Sequence, residues 1–187
     1  MNIQFADYLK LNAVKRGNAH THTRIPDKKA KIQGGLYNIE DDEMPIFKTK
    51  YYDHVFSKRN MEYLTEKQRI ESGPVLVDLD LRYDTNITTK QHTTEHIIDL
   101  VVLYAEKCTE ILDIKNGSKI EIFVQEKKDV NCLEKKTKDG VHIIIGIDMI
   151  RPAQRLLREL VLEEIKTIWE DLPITNTWED VFDEGIT

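Results

Sequence analysis

The feature that most constrains the fold is the apolar run PVLVDLDL at residues 74–81, in which two aspartates alternate with apolar residues from residue 77 onward. It follows Gly73, and a Gly-Pro pair opening a short apolar run is typical of the start of a β-strand. Side chains two positions apart on a strand face the same side, so Asp78 and Asp80 are expected to project together above Leu76. The chain is therefore predicted to fold around a sheet with a pair of carboxylates on one face.

The elements that follow this strand set the predicted fold class. Apolar residues recur at helical spacing over residues 93–113, and again from Pro152 to Trp169. Two further strands are predicted at residues 120–124 and 141–145, separated by a polar, lysine-rich segment. This order predicts an α+β fold, with a mainly antiparallel sheet and helices packed on one face.

The N-terminal third has shorter signals and is expected to form an α/β portion of the same domain. We predict a short helix over residues 5–14, one strand at residues 36–39, and a capping box from Thr65 to Gln68 that opens another helix. The predicted organisation is thus an N-terminal portion, residues 1–72, followed by a core, residues 73–187, in one domain overall.

Composition limits the classes of function. The chain has 187 residues and is 40% hydrophobic and 32% charged, which is typical of globular proteins. No apolar run is long enough to span a bilayer, and Cys108 and Cys132 form no CxxC motif, so an intracellular protein without a membrane partner is expected. The net charge of −6 is concentrated in residues 159–187, which hold nine acidic residues and one basic residue. The lysine-rich patches elsewhere could contact phosphates or could simply be solvated loop charges.

The carboxylate pair suggests a metal site. Two adjacent carboxylates repel each other, and a divalent cation relieves that repulsion; hard oxygen ligands suit Mg²⁺ or Mn²⁺. The alternative is an exposed strand end at which Asp78 and Asp80 merely face solvent, because the DxD pattern alone occurs often by chance.

Two later segments could complete such a site. In KDGVHIII, residues 138–145, His142 is the one polar side chain of an apolar strand, and it could contact a phosphate or lie satisfied in the core. In VFDEG, residues 181–185, apolar residues again precede an aspartate, Asp183, which could be a third carboxylate or one more acid in an acidic tail.

Together these segments resemble a known family. The order hydrophobic-Asp-x-Asp, then Gly-x-His at Gly140 and His142, then a later hydrophobic-Asp, resembles the three motifs of archaeo-eukaryotic primases. The wider sequence resembles the primase part of D5-like helicase-primases of nucleocytoplasmic large DNA viruses. The matching blocks are THTRI (21–25), GGLYNI (34–39), YYDHVF (51–56), YLTEKQ (63–68), GPVLVDLDLRYD (73–84), TTEHIIDLVVLY (93–104), KDGVHIIIG (138–146) and WEDVFDEGIT (178–187).

The resemblance implies a function and a site. Asp78, Asp80 and Asp183 would hold the catalytic Mg²⁺ or Mn²⁺, and His142 would contact the phosphates of the incoming nucleotide. Arg82 could assist with phosphate or template, or it could be a surface charge or form an ion pair with Asp84. The enzyme would be a nucleotidyltransferase, a DNA primase or primase-polymerase that uses nucleoside triphosphates on a single-stranded DNA template. The resemblance also implies a virus-encoded protein that acts inside the host, in the cytoplasmic viral factory.

Two departures from the family pattern leave alternatives open. The chain ends four residues after Asp183, so a primase fold incomplete at its C-terminus is expected, either a fragment or the product of a split gene. No GxxxxGK(S/T) run is present, so helicase or ATPase activity is not expected here, and the rest of the helicase-primase is a candidate partner. The first alternative is a catalytically inactive remnant or interaction module. The second is an unrelated DxD enzyme, such as a nucleotide-sugar transferase.

Two further sets of residues are weaker candidates. His20 and His22 form an HxH pair without evident further ligands, which favours a structural or phosphate-contacting role over zinc. Tyr51, Tyr52, Phe56 and Tyr63 could stack on bases, although aromatic residues at such spacings more often belong to a core.

Overall fold

The computed structural model describes residues 3–69, 71–115 and 117–183. The chain divides into two compact units, with the boundary between residues 69 and 70. No helix within the described residues is both long and apolar enough to cross a membrane.

The N-terminal unit contains a four-stranded sheet in the order β1-β3-β2-β4, and every pairing in it is antiparallel. Its elements are α1 (Phe5–Leu11), β1 (Ala13–Val14), β2 (His22–Arg24), β3 (Gly35–Tyr37), α2 (Met44–Tyr52), which continues into a π-helical stretch (Asp53–Ser57), and β4 (Leu64–Glu66). The helix predicted from Thr65 is wrong, because this segment forms β4 and pairs with β2. Pairing along the sheet edge outweighs the local capping signal in this segment.

A buried ion cluster and an aromatic core stabilise this unit. The Glu62 carboxylate is fully buried and accepts two hydrogen bonds of 2.7 Å from the Arg24 guanidinium. His54 Nε2 lies 3.5 Å from the same carboxylate. His22 is buried and its ring lies 4.7 Å from that of Phe47, at the centre of the aromatic core.

The C-terminal unit contains the sheet β5-β8-β6, with β7 also pairing to β8, and all of these pairs are antiparallel. Its elements are β5 (Ser72–Tyr83), α3 (Thr94–Ile111), β6 (Ile122–Glu126), β7 (Asn131–Cys132), β8 (Thr137–Ile150), α4 (Arg151–Ile168) and α5 (Trp178–Val181). The predicted α+β class with an antiparallel sheet is confirmed.

The alternation in β5 separates the two faces of this sheet. The apolar residues at odd-numbered positions from Val75 to Tyr83 are buried, and they pack in one core with apolar residues of α3 and α4. The even-numbered residues, among them Asp78, Asp80 and Arg82, are only partly buried on the opposite face. Burial of the helix-facing side fixes the orientation of the strand, because a slip of one residue would exchange the faces.

The C-terminal segment covers the remaining edge of β5. Phe182 forms a β-bridge to Leu79, and the Asp183 amide donates to the Asp78 carbonyl at 3.1 Å. Further along the same edge, the Thr175 amide donates to the Arg82 carbonyl at 2.8 Å. Strand β5 is therefore paired on both sides.

Candidate functional site

Asp78 and His142 lie directly opposite each other on the neighbouring strands β5 and β8. Directly opposed residues of an antiparallel pair share a face, and His142 Nε2 lies 3.0 Å from Asp78 Oδ1. The His142 side chain is 58% exposed. The alternative in which His142 is a core residue is therefore wrong; the histidine lies on the open face with the carboxylates.

Asp183 extends this row of residues across a third strand-like segment. The antiparallel bridge between Leu79 and Phe182 puts Asp183 opposite Asp78, and the hydrogen bond from the Asp183 amide to the Asp78 carbonyl follows from that register. The row across the open face thus runs from Asp183 to Asp78 to His142, over residues far apart in the sequence.

Asp80 lies next to this row and is held by two cations. Its Oδ1 accepts a hydrogen bond from Lys138 Nζ at 2.9 Å, and its Oδ2 accepts from the Arg82 guanidinium at 2.8 and 3.0 Å. Partial burial acts to raise the pKa of Asp80, but the hydrogen bonds and charges of Lys138 and Arg82 outweigh it, so the pKa lies below its usual value. Within the described residues, Arg82 forms its ion pair with Asp80, so the alternative of a pair with Asp84 is wrong. Its second acidic neighbour is Asp180, at 3.9 Å.

A cavity of about 460 Å³ opens beside these side chains. It is lined by Asp80, Arg82, Arg158, Glu179, Asp180 and Asp183. A small adjoining hollow is lined in part by Asp78, Asp183 and Arg158. All three predicted carboxylates therefore line two depressions that share Arg158 and Asp183. The described residues contain no group of three or more acidic, histidine or cysteine side chains arranged to hold a metal ion.

Arg158 holds the segment that carries the third carboxylate. From α4, its Nε and Nη2 donate to the Phe182 carbonyl at 3.1 and 2.7 Å, and Nη2 also donates to the Glu179 carbonyl at 3.0 Å. Hydrogen bonds from a charged donor are stronger than neutral ones. The position of Asp183 thus depends on a residue that the sequence motifs did not single out.

Gly140 lies opposite Asp80 at a point where β5 and β8 approach each other closely. It pairs with Asp80 across the two strands, and a Cβ atom at this position would lie 3.1 Å from the Leu79 carbonyl oxygen and 3.8 Å from Lys127 Nζ. The missing side chain lets the strands approach closely and brings the Lys127 ammonium to the same face. Lys127 and Lys138 were recognised only as members of lysine-rich patches. The alternation of residues 138, 140 and 142 along one strand would have identified Lys138 as facing the same way as His142.

A buried polar cluster lies on the other side of β8 from Gly140 and His142. The Asp139 carboxylate accepts a hydrogen bond from the Gly140 amide at 2.8 Å, and its other oxygen lies 3.3 Å from His92 Nδ1. His92 Nε2 lies 2.8 Å from a Glu126 oxygen, and hydrogen bonds from His92 and then Lys90 lower the pKa of Glu126. These contacts connect the start of α3 to the strand that carries His142.

The other candidates lie in the N-terminal unit. The His22 ring is buried against Phe47, which indicates a structural role, while His20 Nδ1 contacts the Asn18 carbonyl at 3.2 Å. An open depression of about 910 Å³ between α1 and α2 is larger than the cavity beside Asp80, but none of the predicted site residues lines it. The convergence of titratable side chains, rather than cavity size, therefore selects the site on β5 and β8.

Comparison with known protein families identifies the family to which this chain belongs. Residues 26–187 match the family described as the C962R protein N-terminal AEP domain, where AEP denotes archaeo-eukaryotic primase. The chain belongs to this AEP family. The match includes both strands of the site and the C-terminal segment that carries Asp183.

A curated relative of this AEP domain is viral. The chain is 29% identical, over 155 residues, to the protein named "Putative helicase L207/L206" of Acanthamoeba polyphaga mimivirus. The aligned region covers 81% of this chain and 16% of that protein. The family and this relative together confirm the resemblance to the N-terminal AEP domains of large DNA viruses, and the chain spans only a small part of the curated relative's length.

Proposed function

We propose that this AEP domain is the catalytic part of a viral DNA primase or primase-polymerase, which transfers nucleotides in a metal-dependent reaction on single-stranded DNA. The observation that carries the proposal is the row of Asp183, Asp78 and His142 across three neighbouring segments of one sheet face, with Asp80 beside it. A nucleotidyl-transfer site needs carboxylates and phosphate-binding donors on one surface, and this face provides both.

The carboxylates suit Mg²⁺ or Mn²⁺ by their chemistry. Asp78, Asp80 and Asp183 provide only hard oxygen donors, they line adjoining depressions, and the low pKa of Asp80 keeps it charged in the neutral range. These residues would hold the metal, which would supply Lewis-acid stabilisation of the charge on the transferred phosphoryl group.

The basic side chains on this face would bind the triphosphate of the incoming nucleotide. His142 is exposed and has a ring nitrogen available for a phosphate oxygen beyond its contact with Asp78. Lys138 and Arg82 pair with Asp80, and Lys127 Nζ lies near Gly140, so three further cations face the same space. Donors fixed before the substrate arrives lose little freedom when it binds, which favours catalysis by charge stabilisation.

The contacts of Asp80 support one alternative, a catalytically inactive remnant. Both of its oxygens are engaged by Lys138 and Arg82, and in a site that never binds metal this ion-pair network would be permanent. Mn²⁺ binding, measured by the loss of the electron paramagnetic resonance signal of free Mn²⁺, separates the two functions. The primase requires binding that is lost in Asp78→Asn/Asp80→Asn, whereas a remnant shows none in either protein.

The activity test is primer synthesis on single-stranded DNA with Mn²⁺ and labelled nucleoside triphosphates. We expect labelled products from the unaltered chain and only background from Asp78→Asn/Asp80→Asn, with Asp84→Asn as the matched control, because Asp84 is exposed and lies just beyond β5. His142→Ala should mainly raise KM for the nucleotide. Equal products from the unaltered chain and the double variant would refute the proposed function.

A further inference from the structure

Two aromatic side chains of the N-terminal unit stand out because they are exposed. Tyr52 ends α2 and Phe56 lies in the π-helical stretch, and each is 63% exposed. Their rings stack on each other, with centroids 5.3 Å apart and an interplanar angle of 30°. Phe47 and Tyr51 of the same helix pack instead into the aromatic core. The four aromatic residues of this segment thus divide into a core pair and a surface pair.

The segment that carries the surface pair is rich in basic residues. Residues 44–60 contain four basic side chains and one acidic side chain, Asp53. Lys50 donates to the Ile3 carbonyl, and Lys58 pairs with Asp53 at 2.6 Å. Lys48 and Arg59 are exposed and form no ion pair within the described parts of the chain. Lys48 precedes Tyr52 by four positions, which puts both on the same side of the helix.

We propose that Tyr52 and Phe56, with Lys48 and Arg59, form a stacking site for single-stranded DNA. The exposed rings offer flat π-surfaces on which unpaired bases can stack, and the two cations complement the phosphates that join those bases. This combination of aromatic platforms and positive charge is how proteins bind single strands without reading sequence. The proposal rests on the proposed function only in its choice of DNA as the partner.

The expected size of the effect follows from the stacking contribution. Each base stacked on an aromatic ring contributes about 1–3 kcal/mol, equivalent to a roughly 5- to 150-fold change in affinity per ring. Tyr52→Ala/Phe56→Ala should therefore weaken binding of the full chain to a labelled oligodeoxythymidine at least about tenfold. Tyr52→Trp/Phe56→Trp should retain binding, because tryptophan preserves the stacking surface. The control is Leu11→Ala/Ile25→Ala, which removes two exposed apolar side chains of the same unit.

Fluorescence anisotropy titrations at several salt concentrations provide the measurements. Lys48→Met/Arg59→Met should lower the slope of log affinity against log salt by about 1.4, since each phosphate contact on a single strand contributes about 0.7. A duplex of equal length should distinguish little between the unaltered chain and Tyr52→Ala/Phe56→Ala, because its base faces are hidden. Circular dichroism of each variant confirms that the fold is retained.

Three outcomes would overturn this inference. These are no binding of the oligonucleotide by the unaltered chain, unchanged affinity in Tyr52→Ala/Phe56→Ala, and equal losses on single-stranded and duplex DNA. If the affinity is unchanged and the oligomeric state changes, the surface is reassigned to protein contacts. Oligonucleotide binding and primer synthesis are measured separately, so this site can fail while primer synthesis is observed, or be confirmed while primer synthesis is absent.

Discussion

Replacing Arg158 with methionine should detach the third carboxylate from the site while leaving the sheet folded. Arg158 donates three hydrogen bonds, at 2.7, 3.0 and 3.1 Å, to the carbonyl oxygens of Phe182 and Glu179. Methionine preserves much of the aliphatic stem and removes all three donors. The C-terminal segment would then be held mainly by the packing of Val181 and Phe182 and by its backbone hydrogen bonds to β5.

The expected magnitude follows from the two acceptors. A hydrogen bond to a charged donor contributes about 1.5–3 kcal/mol net, and an acceptor that stays buried without a partner costs the most. Phe182 is buried, so its carbonyl should lose the full contribution, whereas Glu179 is exposed and its carbonyl can bind water. We therefore expect the free energy of opening this segment to fall by about 2–4 kcal/mol, a roughly 30- to 1000-fold increase in the open population.

Hydrogen exchange of the Asp183 amide measures this opening directly, because that amide donates to the Asp78 carbonyl in the closed state. In Arg158→Met, protection of this amide should fall by about 30- to 1000-fold, and primer synthesis should fall with it. The amides in the middle of β8 should retain their protection. The matched control is Arg155→Met, an exposed position one turn earlier on the same helix. Protection of the Asp183 amide within about threefold of the unaltered chain, against the expected change of 30-fold or more, would refute this role of Arg158.

Three further predictions concern stability. Glu62→Gln should destabilise the N-terminal unit by about 3–5 kcal/mol, because it leaves the Arg24 guanidinium without its buried counter-charge; exchange of the β2 amides reports the loss, and unchanged exchange would contradict it. Burial lowers the pKa of His22 below 6.5, so the unfolded chain binds more protons than the folded chain as the pH falls. Protection of the β2 amides from exchange should therefore decrease below about pH 6.5, and it should decrease less in His22→Asn. Gly140→Ala should lower the free energy of unfolding by about 1–3 kcal/mol, because the added Cβ meets the Leu79 carbonyl of a strand that is paired on both sides. Urea unfolding, monitored by tryptophan fluorescence, measures this change, and an unchanged midpoint would contradict it.

The sequence predicted the centre of the C-terminal unit better than its ends. The alternation in residues 74–81 identified β5 and the face of its aspartates. Strand β8 was predicted at residues 141–145 but extends over Thr137–Ile150, because its ends pair with the full length of β5. Thr137 and Asp139 are buried polar residues, so hydropathy gave no sign that they continue the strand.

The N-terminal unit was predicted less well, for a different physical reason. Its strands have two or three residues each, too few to show an alternating pattern, and they exist because they pair with one another. The aromatic residues show the same limit. Their spacing gave no means of separating Tyr51, which packs in the core, from Tyr52, which is exposed, since that depends on where the helix contacts its unit.

For the site, the sequence predicted the candidate residues but not the contacts between them. The sequence provided Asp78, Asp80, His142 and Asp183 as candidates, and the structure brings all four to one face of the sheet. The hydrogen bonds from Arg158 to the C-terminal segment depend on how α4 packs beside that segment. No local pattern encodes a contact between residues so far apart along the chain.

The pairing of the C-terminal segment along the edge of β5 also bears on the order of folding. Asp78 and His142 lie on strands that pair along the whole of β5, whereas Asp183 follows a single β-bridge and comes after both strands in the chain, so it is synthesised later than they are. A chain that is still being synthesised would therefore possess two carboxylates and the histidine before it acquires the third carboxylate. Catalytic competence, on the proposed function, would then depend on a segment that is synthesised after β5, β8 and Trp169.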